Sequence, residues 1–226
     1  MTTYTFTRGR TSHEHGAAGK NNTPAIRDFD VQVQAALTSI GTDVTTLQGR
    51  GQVVFAKGIT AEDSSTGTTA GTTETAFTNQ VTIPADTLAI GDRIRVRATV
   101  KATAANSTDT LALKLVLANN ADLKTTAIVI AATAAADSAA NDIFRFESDL
   151  RVVAIGAATA ATLNGTGLAI KAGGATWQNA TSNDDVTTVG TTSAIYAGLT
   201  YTYSVSNAGN VCRIKECFVE VLRPSA

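Results

Sequence analysis

Cysteine, proline, histidine and large aromatics are all scarce in this 226-residue chain. It has two cysteines, three prolines, one methionine and one tryptophan, and aromatics make up 5%. Two cysteines cannot staple a small secreted scaffold. Cys212 and Cys217 stand five positions apart, an odd spacing that puts them on opposite faces of an extended strand. Their Cβ vectors then diverge, so a local disulfide is not expected, and both read as reduced thiols from a reducing compartment. Charged residues are 16% and the formal net charge is −1, so the basic excess of a nucleic-acid domain is missing and no nucleic-acid partner is expected. A disordered chain would carry more charge and fewer apolar residues than the 43% here. No apolar run reaches the about 18 residues of a membrane-spanning helix, so no membrane partner is expected. The opening Met1-Thr2-Thr3-Tyr4-Thr5-Phe6 lacks the apolar stretch of a secretory signal.

What the chain has in quantity is alanine and threonine, 39 and 38 residues. Threonine is β-branched and suits a pleated, half-exposed surface. From Gln52 onward apolar residues alternate with polar ones, the period of a strand. The cleanest stretch is 92–102, where Ile94, Val96, Ala98, Val100 and Ala102 point one way and Arg93, Arg95, Arg97 and Lys101 the other. Further inward sets are Leu111, Leu113, Leu115 and Leu117, then Phe144, Phe146, Leu150 and Val152. A third set is Ile195, Leu199, Tyr201, Tyr203 and Val205. Segments 52–57, 74–83 (Phe77, Val81 and Ile83 on one face), 128–131, 163–171 and 211–222 bring the total to about nine strands. In the last of these, Ile214 and Phe218 share a face with Glu216 and Glu220, while Val219 and Val221 share the other with Cys217. A bulge, or burial of both faces, resolves that conflict. The small-residue stretches 60–75, 131–140 and 156–162 read as surface loops or plain edge strands. The whole predicts an all-β fold, an antiparallel jelly-roll β-sandwich over 52–226, preceded by an extended N-terminal arm and a short α-helix.

The arm is residues 1–23, with Arg8, Arg10 and Lys20 against the single acid Glu14, and with Gly9, Gly16 and Gly19 breaking any helix. Tyr4 and Phe6 alternate with threonines, a pattern that can pair as a strand on another protein's sheet edge. Thr23 and Pro24 then suit the N-cap and first position of a helix within 24–51. Ile26, Val33, Ile40 and Leu47 recur every seven residues, with Leu37 and Val44 interleaved. Two readings fit. One is an amphipathic helix packed on its own domain. The other is a short trimeric coiled coil whose axis is lined by Val33, Leu37, Ile40, Val44 and Leu47.

Groups suited to catalysis are thinly spread. His13 and His15 are the only histidines; they lie in the arm, outside the β region, so a Ser-His-Asp triad is not available there. An H-x-H pair falls short of the four converging ligands of structural zinc. Two carboxylate pairs, Glu62-Asp63 and Asp184-Asp185, read as solvated turns or as parts of a loop calcium site, which needs 6–8 oxygens. Trp177 precedes the second pair and is either a packing residue or, with Asp184 and Asp185, part of a distal ligand loop. There is no phosphate-loop motif. No catalytic residue, metal or cofactor is expected. The row Arg93, Arg95, Arg97 and Lys101 is either a solvated face with cross-strand partners such as Glu147 or Asp149, or a contact face for an acidic protein surface.

Three segments carry a family resemblance: Ile83-Pro84-Ala85-Asp86-Thr87-Leu88, Gly91-Asp92-Arg93-Ile94-Arg95-Val96-Arg97-Ala98 and Asp109-Thr110-Leu111-Ala112-Leu113-Lys114-Leu115. With the Arg213-containing terminal strand, they make the stretch from Val53 to Leu222 resemble the jelly-roll virion proteins of tailed bacteriophages, both head-decoration (cement) and fibre proteins. The resemblance implies a homotrimer of tumour-necrosis-factor-like jelly rolls, assembled in the host cytoplasm into a virion, with the major capsid protein or another virion protein as partner. It brings no catalytic residues. On the cement reading, Tyr4, Phe6, Arg8 and Arg10 anchor the shell. The alternatives are a head or tail fibre that recognises a host-surface glycan and, below that, a free carbohydrate-binding module.

Overall fold

The computed structural model describes residues 33–38, 51–64, 72–104, 108–137, 139–172 and 177–224. Residues 33–38 are helical. The chain divides into two compact units, one of residues 1–50 with 225–226 and one of residues 51–224. The second is an antiparallel jelly-roll β-sandwich. Its long sheet runs β1 (Gln52–Gly58), β13 (Val211–Arg223), β5 (Arg93–Ala104), β9 (Ile143–Ala154), β10 (Thr162–Ala172) and β11 (Trp177–Val186), with β2 (Asp63–Ser64) beside β13. The facing sheet runs β3 (Thr75–Ala76), β12 (Ile195–Tyr203), β6 (Thr110–Ala118) and β7 (Ala127–Ala132). In that sheet β4 (Val81–Ile83) also pairs with β12, and β8 (Ala136–Asp137) with β6. Among the described residues no helix is long and apolar enough to cross a membrane.

Alternation explains the layers. Ile94, Val96, Ala98, Val100 and Ala102 of β5 are buried in one continuous core with the phenylalanines of β9, beside them in the same sheet, and the leucines of β6 from the facing sheet. Their outward neighbours Arg93, Arg97, Arg145, Glu147 and Arg151 are exposed. Burying each such aliphatic or aromatic side chain contributes about 1.5–3 kcal/mol, and a one-residue slip of register would turn the whole set to solvent.

Four expectations need correction. First, Cys212 and Cys217 point the same way: both are buried in the core, and neither forms a disulfide. The register shifts between Ile214 and Glu216, so one extra residue in β13 resets the pleat between the two cysteines. The same bulge reconciles the clashing faces of the terminal strand. Second, residues 177–186 are not a loop. They form strand β11, paired with β10 from Lys171↔Trp177 to Leu163↔Val186. Third, segment 74–83 is broken into β3 and β4, although Phe77, Val81 and Ile83 are buried as a set. The break is held by the Asp63 carboxylate, which accepts from the backbone N–H groups of Thr78 and Asn79. Fourth, Val205 lies past the end of β12 and is exposed.

Two of the three longest strands of the core begin with the same device. Ala89-Ile90-Gly91-Asp92 leads into β5 and Ala139-Ala140-Asn141-Asp142 into β9. In each turn the aspartate carboxylate accepts from the alanine N–H three residues earlier, at 2.8 Å in both. The residue before each aspartate has positive φ, +91° at Gly91 and +77° at Asn141, where glycine and asparagine are the tolerated types. Each turn also closes on the far end of the other strand. Gly91 N–H donates to Val152 O at 2.8 Å, and Asn141 N–H donates to Ala102 O at 2.7 Å. Asp92 has no exposed surface and receives Arg223 through two bonds, 2.9 and 2.8 Å. Asp142, also buried, pairs with Lys171 at 2.9 Å.

Four outcomes follow from this packing. Arg223→Ala leaves the Asp92 carboxylate buried and unpaired and is expected to lower the unfolding free energy by about 3 kcal/mol in urea titration. Arg93→Ala removes an exposed pair and is expected to cost under about 1 kcal/mol in the same measurement. The Ser148 hydroxyl is buried among the inward residues of β9 without a hydrogen-bond partner among the described residues, so Ser148→Ala is expected to be neutral or to stabilise by about 1 kcal/mol. Burial pushes the Cys217 thiol up to about 12. A disulfide-exchange reagent at pH 8 is therefore expected to leave Cys217 unlabelled in the folded protein and to label it only in denaturant; rapid labelling of the native protein would contradict this packing.

Candidate functional site

The charged side chains of the sandwich collect on the outer face of the long sheet, because β5 and β9 both turn their apolar sets inward. The antiparallel registers arrange that face in rows across β13, β5, β9 and β10. One row is Leu222, Arg93, Arg151 and Asn164, and the next is Glu220, Arg95, Asp149 and Thr166. Then come Phe218, Arg97, Glu147 and Leu168, followed by Glu216, Thr99, Arg145 and Ile170.

Asp149 is the hub. Arg93 donates to it through Nε at 3.0 Å and Nη2 at 2.7 Å, and Arg95 through Nε at 3.2 Å. The arginines therefore have the cross-strand acidic partner that alternation predicts, at least at these two positions. Arg97 stands opposite Glu147 in register, and Lys101 lies between Ile143 and Arg213. Arg93 and Arg151 are directly opposite each other, a like-charge pair that costs folding energy.

Two shallow depressions share Asp149 and Thr166. One, of about 440 Å³, is floored by Arg95, Arg97, Glu147 and Leu168. The other, of about 510 Å³, is bounded by Gly91, Arg93, Arg151, Asn164 and Pro224. Gly165 makes the floor possible. It lies at a register shift in β10, and a Cβ there would press on the Asp149 carbonyl and on Leu150 Cα, so only glycine lets β10 sit this close to β9. Arg151, Asn164 and Gly165 carry no motif in the sequence, and their place in the site comes from the β9–β10 register.

Other candidates are used differently. Glu62 pairs with Lys215 at 2.7 Å and Arg213 at 3.6 Å, and the hydrogen bond from Lys215 leads in holding its carboxyl below the usual range. Asp63 holds the turn at Thr78 and Asn79. This pair thus serves neighbouring strands, and it is not a solvated turn. Trp177, Asp184 and Asp185 lie within β11, so the expected distal ligand loop is a sheet strand. Among the described residues no three His, Cys, Asp or Glu side chains converge as a metal site. Val33 and Leu37 fall in the helical segment 33–38, where Val33 is half-buried and Leu37 is 62% exposed. Tyr4, Phe6, Arg8, Arg10, His13, His15, Ile40, Val44 and Leu47 lie outside the described residues.

No family model matches the sequence, and no curated protein matches it. Solved structures match the chain at low similarity. A marine PL-14 alginate lyase from Aplysia kurodai is 8% identical with a TM-score of 0.33, covering 76% of this chain and 100% of that one. Lectin I from Ulex europaeus, solved with the methyl glycoside of α-L-fucose, is 9% identical with a TM-score of 0.34, covering 74% and 97%. A protein of unknown function from Shewanella oneidensis MR-1 is 12% identical with a TM-score of 0.34, covering 72% and 69%. At these identities and scores the likeness carries no argument about what this chain binds.

Proposed function

We propose that this chain is a structural protein used in many copies, a decoration (cement) protein of a bacteriophage head that assembles as a homotrimer. One observation carries the reading: Leu37, on the helical segment 33–38, leaves 62% of its surface uncovered within a single chain. It shares a helix face with Val33, four residues before it, and both stand at the seven-residue spacing that lines an oligomer axis. Apolar surface of this kind, continued by Ile40, Val44 and Leu47 in the sequence pattern, is stabilised at roughly 25 cal/mol per Å² when copies of the helix cover it. The sandwich supports the same reading. Arg93 and Arg95 are engaged with Asp149 across strands, and the depressions beside them are open and shallow, suited to docking a surface. A trimer meeting several shell subunits at once turns modest single contacts into high avidity.

Light scattering of the full chain is expected to give about three times 23.2 kDa, and Leu37→Asp is expected to give the mass of one chain. A wild-type protein that runs as a monomer would sink the trimer. Shells carrying the protein are expected to rupture at a higher temperature than shells lacking it, and equal temperatures would remove the cement role.

A further inference from the structure

The outer face of the long sheet has a charge that folding does not explain. The ladder of β5 and β9 carries six cations (Arg93, Arg95, Arg97, Lys101, Arg145 and Arg151) against two carboxylates, Glu147 and Asp149, in a chain whose net charge is −1. Glu216 and Glu220 of β13 flank the ladder and leave the excess positive. Arg93 and Arg95 are spent on Asp149. Among the described residues, Arg97, Lys101, Arg145 and Arg151 have no carboxylate within ion-pair distance. Apolar side chains border the cations: Phe218, 37% exposed, and Leu168 lie on either side in the Arg97 row, and Val53 of β1 lies opposite Leu222 in the Arg93 row.

We infer that this face, centred on Arg97, docks an acidic protein surface with an apolar patch, which under the reading above is the shell subunit. Charge complementarity selects the partner. Four unneutralised cations need carboxylates opposite them, and arginine beside an aromatic residue is the composition that interface cores favour. A nucleic-acid backbone fits less well, because Glu147 and Asp149 stand in the middle of the cationic rows and repel a continuous line of phosphates. A sugar polymer fits less well too, because among the described residues no aromatic side chain lines either depression. The inference rests on the proposed shell-binding role and adds a second contact to the N-terminal arm.

The test uses the full chain and shells produced without it. The double charge reversal Arg97→Glu with Arg151→Glu changes two exposed side chains that make no ion pair in the fold. It is expected to keep the wild-type melting temperature and oligomeric mass while binding shells about tenfold or more weakly. Wild-type binding is expected to weaken steeply as NaCl rises from about 0.1 to about 1 M, where the screening length falls from about 10 to about 3 Å. Phe218→Ser is expected to weaken binding with little change in that salt dependence. If wild-type protein binds shells and the double variant binds equally well, this face is not the dock, and the shell-binding role stands on the arm alone. Should the double variant misfold, Arg97→Gln with Arg151→Gln and the wild-type salt titration decide, and salt-independent wild-type binding overturns the inference. Failure of the wild-type protein itself to bind shells overturns the shell-binding role and the inference with it. Retention on double-stranded DNA, lost in the double variant while shell binding is intact, would reassign the face to nucleic acid and overturn it as well.

Discussion

Two buried aspartates hold the centre of this sandwich together. Asp92 and Asp142 sit at diagonally opposite corners of the β5–β9 ladder, each at the start of one strand and beside the end of the other. The cation that neutralises each comes from the next strand outward, Arg223 from β13 and Lys171 from β10. The sheet order is β13, β5, β9, β10, so two ion pairs tie four neighbouring strands into one register. Alternation alone tolerates a slip of two residues, which keeps the apolar set inward but shifts every row of the outer face. The aspartate turns oppose that slip, because each would lose its backbone bond to the end of the other strand, Gly91 N–H to Val152 O and Asn141 N–H to Ala102 O. The arrangement of charges on the outer face is therefore a consequence of the corners.

Small residues do a second, quieter job. β10 meets the facing sheet through Gly167, where a Cβ would collide with the Ile130 carbonyl of β7, and through Ala169 opposite a core that includes Ala131. Phe77, Phe144, Phe146, Tyr201 and Tyr203 fill other parts of the core. An interior packed at crystal-like density must follow the local spacing of its sheets. The abundance of alanine is thus partly a record of where the sheets come close, and the abundance of threonine a record of strand surface left half-exposed.

Much of this was legible in the residues. The inward sets of β5, β6 and β9 are strict alternations of large apolar and polar side chains, and they predict both the burial and the arginine row. Asp149 as partner of Arg93 and Arg95 follows once those strands are taken as neighbours. Legibility failed where the side-chain pattern is weak or where one residue changes the phase. β11, with the sequence Trp-Gln-Asn-Ala-Thr-Ser-Asn-Asp-Asp-Val, has no alternation and is a strand because β10 offers it a ladder. The cysteine faces were misjudged because parity assumes an unbroken pleat, and the bulge between Ile214 and Glu216 breaks it. The floor of the candidate site was hidden for a different reason. Gly165 matters through the side chain it lacks, and Arg151 through a register that only pairing reveals.

The outer face and the corners obey opposite economies, and that contrast separates function from stability here. At the corners the carboxylates are buried, few groups are involved, and each aspartate accepts from both a backbone N–H and a cation. On the face, Asp149 and its arginines are between 31% and 54% exposed, a setting where an ion pair contributes under about 1 kcal/mol. Arg93 is set opposite Arg151, which works against folding. A sheet selected for stability alone would carry threonine, or paired opposite charges, at these positions, as it does along much of its remaining surface. Four arginine and lysine side chains without an ion pair among the described residues, one like-charge pair and an exposed phenylalanine in neighbouring rows make the surface that the proposed shell subunit would cover.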